Sequence, residues 1–359
     1  MKKIILTGGG TAGHVTPNIA LIPRLKELGY EITYIGSYEG IEKKLITRLG
    51  IPYHGIASGK LRRYFDLKNI TDPFRVIKGF HEASVLLDEI KPDVIFSKGG
   101  FVSVPVVVAA GHKKIPVIIH ESDMTPGLAN RLSFSSAQKI CCNFPETADK
   151  LPVGKAVVTG SPIRPELLTG DADKARAFTG LPADKPVLMV MGGSLGAVAV
   201  NENVRRILPQ LLKDFYIVHL CGKGKLDESL QGTPGYIQYE YIQDELPDLF
   251  ALADILISRA GANAICEIAA LAKPNLLIPL SAQASRGDQI LNARSFERQG
   301  LSMVLEEEEI TEEKLLAEIH SLFENRQKYI DAMKAAPGLD AITKITELIE
   351  ECAGSGDSK

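Results

Sequence analysis

The sequence predicts an α/β protein made of two doubly wound parallel-sheet domains, and three observations carry that prediction. Short apolar, β-branched runs alternate with helical patterns, which is how a parallel sheet with crossover helices is written. The alternation halts in a stretch rich in Gly, Pro and Asp at 159–186 and then restarts. A chain of 359 residues exceeds one ordinary core and fits two domains of roughly 150–200 residues each.

The first set of strands reads "KKIILTG" (2–8), "EITYIGS" (31–37), "DVIFSKG" (93–99), "PVIIHES" (116–122) and "KAVVTGS" (155–161), each ending in small residues. After the first, "NIALIPRLKELG" (18–29) repeats apolar residues at three- and four-residue spacing and stops at Gly29, which predicts a helix. The second set reads "VLMVMGGS" (187–194), "FYIVHLCG" (215–222), "GYIQYEYI" (235–242), "ADILISRAG" (253–261) and "PNLLIPLS" (274–281). The expected boundary lies near residue 163, giving domains at 1–163 and 164–340. Helices are expected at 312–336 and 340–352, so that 341–359 forms a terminal helix and a frayed tail. Two such domains leave a cleft between them, and ligands of these sheets sit at the carboxyl ends of the strands.

With 45% hydrophobic and 24% charged residues and a mean hydropathy of +0.04, the composition is that of a soluble globular protein. No run of about 18 apolar residues occurs, and "MKKIILTGGG" has too short an apolar stretch for a secretory leader, so a cytosolic protein is expected. The five cysteines (Cys141, Cys142, Cys221, Cys266, Cys352) lack CxxC spacing and read as reduced thiols, mostly in the core; "AQKICCNFP" itself has strand character. The net charge of −3 hides an asymmetry: residues 1–160 hold 21 Lys and Arg against 14 Asp and Glu, and residues 161–359 hold 20 against 30. The basic half is expected to meet an anionic surface or ligand. A nucleic-acid partner is not expected at a pI near 6.2.

Four strand-end glycine turns recur: Gly8-x-Gly10-x-x-Gly13, "KGGFVS" (98–103), "GGSLG" (192–196) and "RAGANAICE" (259–267). A glycine turn entering a helix presents backbone N–H groups and the positive end of the helix dipole, which suits a phosphate. A dinucleotide would need a carboxylate at the end of the second strand, where this chain has Gly36 and Ser37, with Glu39 only beyond. A P-loop is absent as well. "DAD" (171–173) mimics a metal-binding pair but precedes a helical pattern and reads as an N-cap. Neither a cofactor nor a metal site is therefore expected.

Seven segments, "GGGTAGHVTP", "GGFVSVP", "HESDMTPGLANR", "TGSPIR", "GGSLGA", "SRAGANAICE" and "GDQILNA", stand in the order and spacing of the MurG family, which the chain resembles from residue 3 to about 350. The resemblance implies a GT-B fold, two Rossmann-like domains facing a cleft. It also implies transfer of N-acetylglucosamine from UDP-GlcNAc to undecaprenyl-diphosphate-N-acetylmuramoyl-pentapeptide (lipid I), giving lipid II in peptidoglycan synthesis. On the same ground Ile242 meets the uracil through its backbone, Glu267 receives the ribose hydroxyls, Ser194 and Arg164 contact the diphosphate or nucleotide, and Gln289 contacts the sugar. Thr11, Ala12, Gly13, Asp123, Ala262, Asn263 and Ala264 join them in the donor site, and Gly99, Gly100, Ser103 and Asn130 bind the acceptor. The chain departs from the family's usual residues at Ala12, Asp123, Leu195 and Ala264, where Gly, Asn, Gln and Thr are common.

A carboxylate at position 267 suits a ribose, since it accepts from both hydroxyls in a charge-assisted pair. His14, at the mouth of the first glycine turn, has the chemistry of a general base or of a phosphate donor. Glu121 and Asp123 close the fourth strand, where a carboxylate can act as base or bind the acceptor. Two rival readings share the architecture: a UDP-GlcNAc 2-epimerase, and a UDP-sugar-binding protein without turnover. A divergent transferase for another lipid acceptor is a third.

The stretch "KLRRYFDLKNITDPFRVIKGF" (60–80) holds six basic residues against two acidic ones, interleaved with aromatics. Arg62, Arg63, Phe65, Phe74, Arg75, Lys78 and Phe80 are expected to dock the protein on the cytoplasmic face of an anionic membrane, as a peripheral protein whose acceptor never leaves the bilayer.

Overall fold

The computed structural model describes residues 2–59, 68–193, 196–283, 287–336 and 340–354. The chain divides into two compact units, Met1–Arg164 with Asp340–Lys359, and Pro165–Leu339.

In the first unit seven strands form one parallel sheet: β1 (Lys3–Thr7), β2 (Glu31–Ser37), β3 (Tyr53–Ile56), β4 (Val94–Ser97), β5 (Val117–Glu121), β6 (Lys139–Cys142) and β7 (Ala156–Val158), in the order β3-β2-β1-β4-β5-β6-β7. The second unit holds β8 (Val187–Met191), β9 (Tyr216–Leu220), β10 (Tyr236–Tyr239), β11 (Ile255–Ser258), β12 (Asn275–Leu277) and β13 (Met303–Val304), in the order β10-β9-β8-β11-β12-β13. Each sheet reverses its winding beside its first strand, between β1 and β4 and between β8 and β11. Ligands of doubly wound folds bind at that switch. Central strands such as β4 and β11 are buried along their whole length, because helices cover both faces of the sheet.

Among the described residues, β3 and β13 are the strands without a counterpart in the sequence reading. Both are edge strands. β3 is "YHGI" and β13 has two residues, so neither has the apolar run that burial on two faces selects. The last helix, Ala341–Gly354, lies against the first unit's helix Thr16–Glu27, with Ile345, Ile349 and Cys352 in one core with Ile4, Leu21 and Leu25. Its Glu350 receives the Lys2 Nζ at 2.9 Å, tying together the two ends of the chain. The five cysteines are free thiols, four of them buried and Cys266 half-buried. Asp171 caps helix Ala172–Thr179, accepting from the Asp173 and Lys174 N–H groups at 2.9 and 3.3 Å. Among the described residues no helix is long and apolar enough to cross a membrane, and no side-chain cluster could hold a metal.

One buried histidine makes the second unit acid-sensitive. His219 on β9 receives the Tyr236 hydroxyl on Nδ1 at 2.9 Å and donates Nε2–H to Asn201 Oδ1 at 3.0 Å. Burial, and then the Arg205 charge, lower its pKa to about 3. The folded ring stays neutral while the unfolded chain takes up a proton below the ordinary value near 6.5, so acid favours unfolding. Each pH unit between those two values costs about 1.4 kcal/mol. Hydrogen exchange of the β8 and β9 amides is therefore expected to lose about 2 kcal/mol of protection from pH 6.5 to 5. In His219→Gln that part of the acid sensitivity should vanish; an unchanged pH dependence would contradict the assignment.

Candidate functional site

In the first unit the loops leaving β1 and β4 touch at the winding switch. A Cβ on Gly100 would overlap the Gly9 carbonyl, and Gly100 also has φ +85°, so only glycine brings the two turns together. Beneath them lies a carboxylate that sequence reasoning did not single out. Glu42, fully buried on helix Ile41–Thr47, accepts from the Gly10 N–H at 3.2 Å and the Ser37 N–H at 3.0 Å. A side chain on Gly9 would run into it. The Gly8–Gly13 turn thus closes over an internal carboxyl group at the end of β2, which is where a dinucleotide would need open space for its own ribose and phosphates.

His14 is half-buried at the end of that turn and donates Nδ1–H to the Lys98 carbonyl at 3.1 Å, which puts the ring's lone pair on Nε2. Burial and the Lys98 charge lower its pKa, against smaller opposing effects of the Lys98 carbonyl, Asp123 and Glu42, so the ring is neutral at pH 7. Lys98 is itself buried. Its Nζ donates to His120 Nδ1 at 2.9 Å and to the Ser122 hydroxyl, and His120 Nε2–H continues to the Gly160 carbonyl at 2.8 Å. Burial and Lys98 hold the His120 pKa well below the ordinary value.

Glu121 is buried and accepts from three donors: Asn130 Nδ2 at 2.8 Å, the Gly127 N–H at 2.9 Å and the Asp123 N–H at 3.0 Å. Burial pushes its carboxyl up. These bonds hold its oxygens within the turn from 121 to 130, beside Asp123, which is half-buried and close enough for its charge to act on His14. Asn130 is buried behind Gly99, and Ser103 is buried with its hydroxyl donating to the Gly100 carbonyl at 2.8 Å. Both shape the second glycine turn. Thr11 is exposed and Ala12 and Gly13 half-buried, while Arg164, half-buried, is the last residue of the first unit.

In the second unit the predicted donor residues gather at the carboxyl ends of the strands. Ile242 follows β10, and Ala262, Asn263, Ala264 and Glu267 lie on helix Ala262–Ala270, which follows β11. Gln289 lies on helix Asp288–Arg298 after β12, and its amide oxygen accepts from the Leu280 N–H at 3.0 Å. Ser194, together with Leu195, falls outside the described residues. The turn before the 262–270 helix is braced by residues that the sequence reading passed over. Arg259 donates to the Ile278 and Pro279 carbonyls at 3.1 and 3.0 Å and pairs with Glu307, and Asn292 Nδ2 reaches the Ala260 carbonyl at 3.3 Å. Glu267 is half-buried one and a half turns into the helix, whose positive end faces the carboxyl edge of the sheet.

Of the expected membrane residues, Arg62, Arg63 and Phe65 fall outside the described residues. Phe74, 72% exposed, stands with exposed Arg75 and Lys78 on helix Lys68–Ile90, and Ile77, 67% exposed and not anticipated, extends the apolar surface. Phe80 is half-buried, packs against the first unit's core and meets His112 edge-on at 5.6 Å. Six residues on from Phe74, it points to the other side of the helix.

The model of the glycosyltransferase family 28 N-terminal domain matches residues 4–142, and that of the family's C-terminal domain matches residues 187–351. A UDP-N-acetylglucosamine–N-acetylmuramyl-(pentapeptide) pyrophosphoryl-undecaprenol N-acetylglucosamine transferase of Lachnospira eligens is 65% identical over 98% of this chain and 99% of its own length. The crystal structure of Acinetobacter baumannii MurG superposes with a TM-score of 0.75 at 26% identity, covering 98% of this chain and all of that one. A UDP-GlcNAc 2-epimerase of Neisseria meningitidis reaches a TM-score of 0.67 at 15% identity, covering 98% of this chain and all of its own, a likeness of fold alone. Two parallel-sheet domains of the GT-B type, both family models, and a relative with nearly two thirds of its residues identical from end to end agree: the chain belongs to glycosyltransferase family 28, among its MurG members.

Proposed function

We infer that the protein transfers N-acetylglucosamine from UDP-GlcNAc to lipid I, the step that yields lipid II for peptidoglycan. The observation that carries this reading is the 65% identity maintained over 98% of the chain with a transferase of that name. The epimerase shares architecture at 15% identity, too little to carry its chemistry across.

The arrangement supports an inverting transfer. The C4 hydroxyl of the muramoyl sugar attacks the anomeric carbon from the face opposite UDP. A C–O bond forms there as the bond to the UDP oxygen breaks, the hydroxyl proton passes to His14 Nε2, and the electron pair leaves on the diphosphate. A neutral ring with its lone pair on Nε2 is in the form a base requires. Helix 262–270 would stabilise the departing diphosphate, since charge develops there in the transition state. Glu267 would hold the ribose and Gln289 the sugar. Glu121 supports the reaction through the turn it shapes. An NMR spectrum of the disaccharide made from a short-chain lipid I analogue tests the reading: a β linkage to C4 is expected, and an α linkage would overturn inversion.

The acceptor's lipid chain brings the reaction to a membrane, and the face of helix 68–90 carrying Phe74, Arg75, Ile77 and Lys78 is the surface suited to dock there. Each cation near an anionic leaflet contributes about 1 kcal/mol. The variant Arg75→Glu/Lys78→Glu should therefore bind phosphatidylglycerol vesicles at least about 30-fold more weakly, while a water-soluble acceptor analogue turns over as before. Undiminished sedimentation with vesicles at low salt would move the docking surface elsewhere in the basic half.

A further inference from the structure

We propose that Lys98 is a positioning residue of the transfer reaction: its carbonyl fixes the ring of His14, and its buried ammonium, held by His120 and Ser122, is a fixed positive charge that acts on that ring. This inference rests on the reading of His14 as the base.

Two features of Lys98 act on one neighbour. The backbone carbonyl accepts His14 Nδ1–H at 3.1 Å and so selects the tautomer with its lone pair on Nε2. The side chain is buried, with only about 1% of the residue exposed, and its Nζ donates to His120 Nδ1 at 2.9 Å and to the Ser122 hydroxyl. A lysine is rarely buried to this degree, because desolvating an ammonium costs several kcal/mol unless partners are provided. Here His120 and Ser122 are among the partners that provide for it. His120 is locked as an acceptor on Nδ1 because its other nitrogen donates to the Gly160 carbonyl at 2.8 Å.

The charged and titratable groups around this pair come from four elements. Asp123 lies in the turn after β5 and Glu42 on helix 41–47, both acting on His14 against Lys98. His120 is on β5 and stays neutral. Cys141 is on β6, its buried thiol pushed up to about 12 and so uncharged at pH 7. Lys98 is thus the one charge named here that opposes protonation of His14. A base beside a buried cation stays unprotonated into more acidic solution and gives up its proton more readily once the leaving group has departed. The Ser122 contact also ties the ammonium to the residue before Asp123, so one side chain connects the glycine turn after β4 with the turn that Glu121 organises.

The test uses Lys98→Met, which keeps the volume and removes both charge and hydrogen bond, and Lys98→Gln, which keeps a donor for His120 and removes the charge. In the full-length protein labelled with 15N at histidine, the His14 ring signals, identified by their loss in His14→Ala, are titrated. In parallel the kcat/KM–pH profile is recorded. Both variants should move the His14 titration to higher pH, and the acid limb of the profile should follow in the same direction. Affinity for UDP-GlcNAc, measured by calorimetry, should stay within about twofold, and hydrogen exchange of the β1 and β4 amides reports that the first unit is folded. A His14 titration unmoved in both variants overturns the proposal, and so does movement in Lys98→Met alone, which would assign the effect to the hydrogen bond. If the acid limb persists in the residual activity of His14→Ala, the reading of His14 as base fails, while the ring titration still decides the effect of Lys98. Should Lys98→Met not fold, movement or its absence in Lys98→Gln decides the matter.

Discussion

His14→Ala is expected to lower kcat by about 10²–10⁴-fold with little change in affinity for UDP-GlcNAc. The expectation follows from where the ring's protons lie. Nδ1–H is committed to the Lys98 carbonyl, so Nε2 is the nitrogen that can take a proton, and burial beside Lys98 keeps the ring neutral and able to take it. A group used only while the acceptor hydroxyl is being deprotonated contributes to the transition state and not to donor binding. Steady-state kinetics with calorimetric binding of the donor separates the cases. A fall in affinity with kcat retained would make His14 a ligand of a ground-state phosphate instead.

The second large effect is expected in the other unit. Glu267→Ala should weaken UDP-GlcNAc binding by about 10- to 150-fold, the consequence of losing hydrogen bonds to a charged group worth about 1.5–3 kcal/mol. Glu267 lies on helix 262–270 at the winding switch of the second sheet, after a turn braced by Arg259 and Asn292, so the substitution removes a ligand without removing the scaffold. Calorimetry with UDP-GlcNAc checks it, with hydrogen exchange of the β11 amides as the control for folding. An unchanged dissociation constant would remove the ribose assignment.

The parts of the molecule that the sequence announces are those whose physics is local. "VIFS" and "ILIS" are buried on both faces and read as strands, and Asp171 reads as a cap because its carboxylate bonds two and three residues ahead. What stayed hidden depends on contacts between distant segments. Glu42 looks like one charge of a surface helix, "IEKKLIT", until the glycine turn after β1 folds over it; the glycines at positions 9, 36 and 40 were the available signal, since all three leave room for that carboxylate. Lys98 sits in a strand-end "SKGG" in which the glycines draw attention away from the cation. Its burial is set by His120, 22 residues on, a spacing with no period to detect. Composition counts aromatics without regard to helical phase, and phase separates Phe80, half-buried against the core, from Phe74 and Ile77 on the exposed side of the same helix. The motif set was legible because glycine turns must follow the strands directly, at fixed spacing.

The most direct test of the account is to follow the sugar. The purified protein is incubated with UDP-GlcNAc labelled in the sugar and a short-chain lipid I analogue, and the products are separated. The predicted result is label in a lipid-linked disaccharide, with UDP released in equal amount and the transfer slowed by about 10²–10⁴-fold in His14→Ala. Label recovered as a free 2-epimer, or donor recovered intact although it binds, would contradict it.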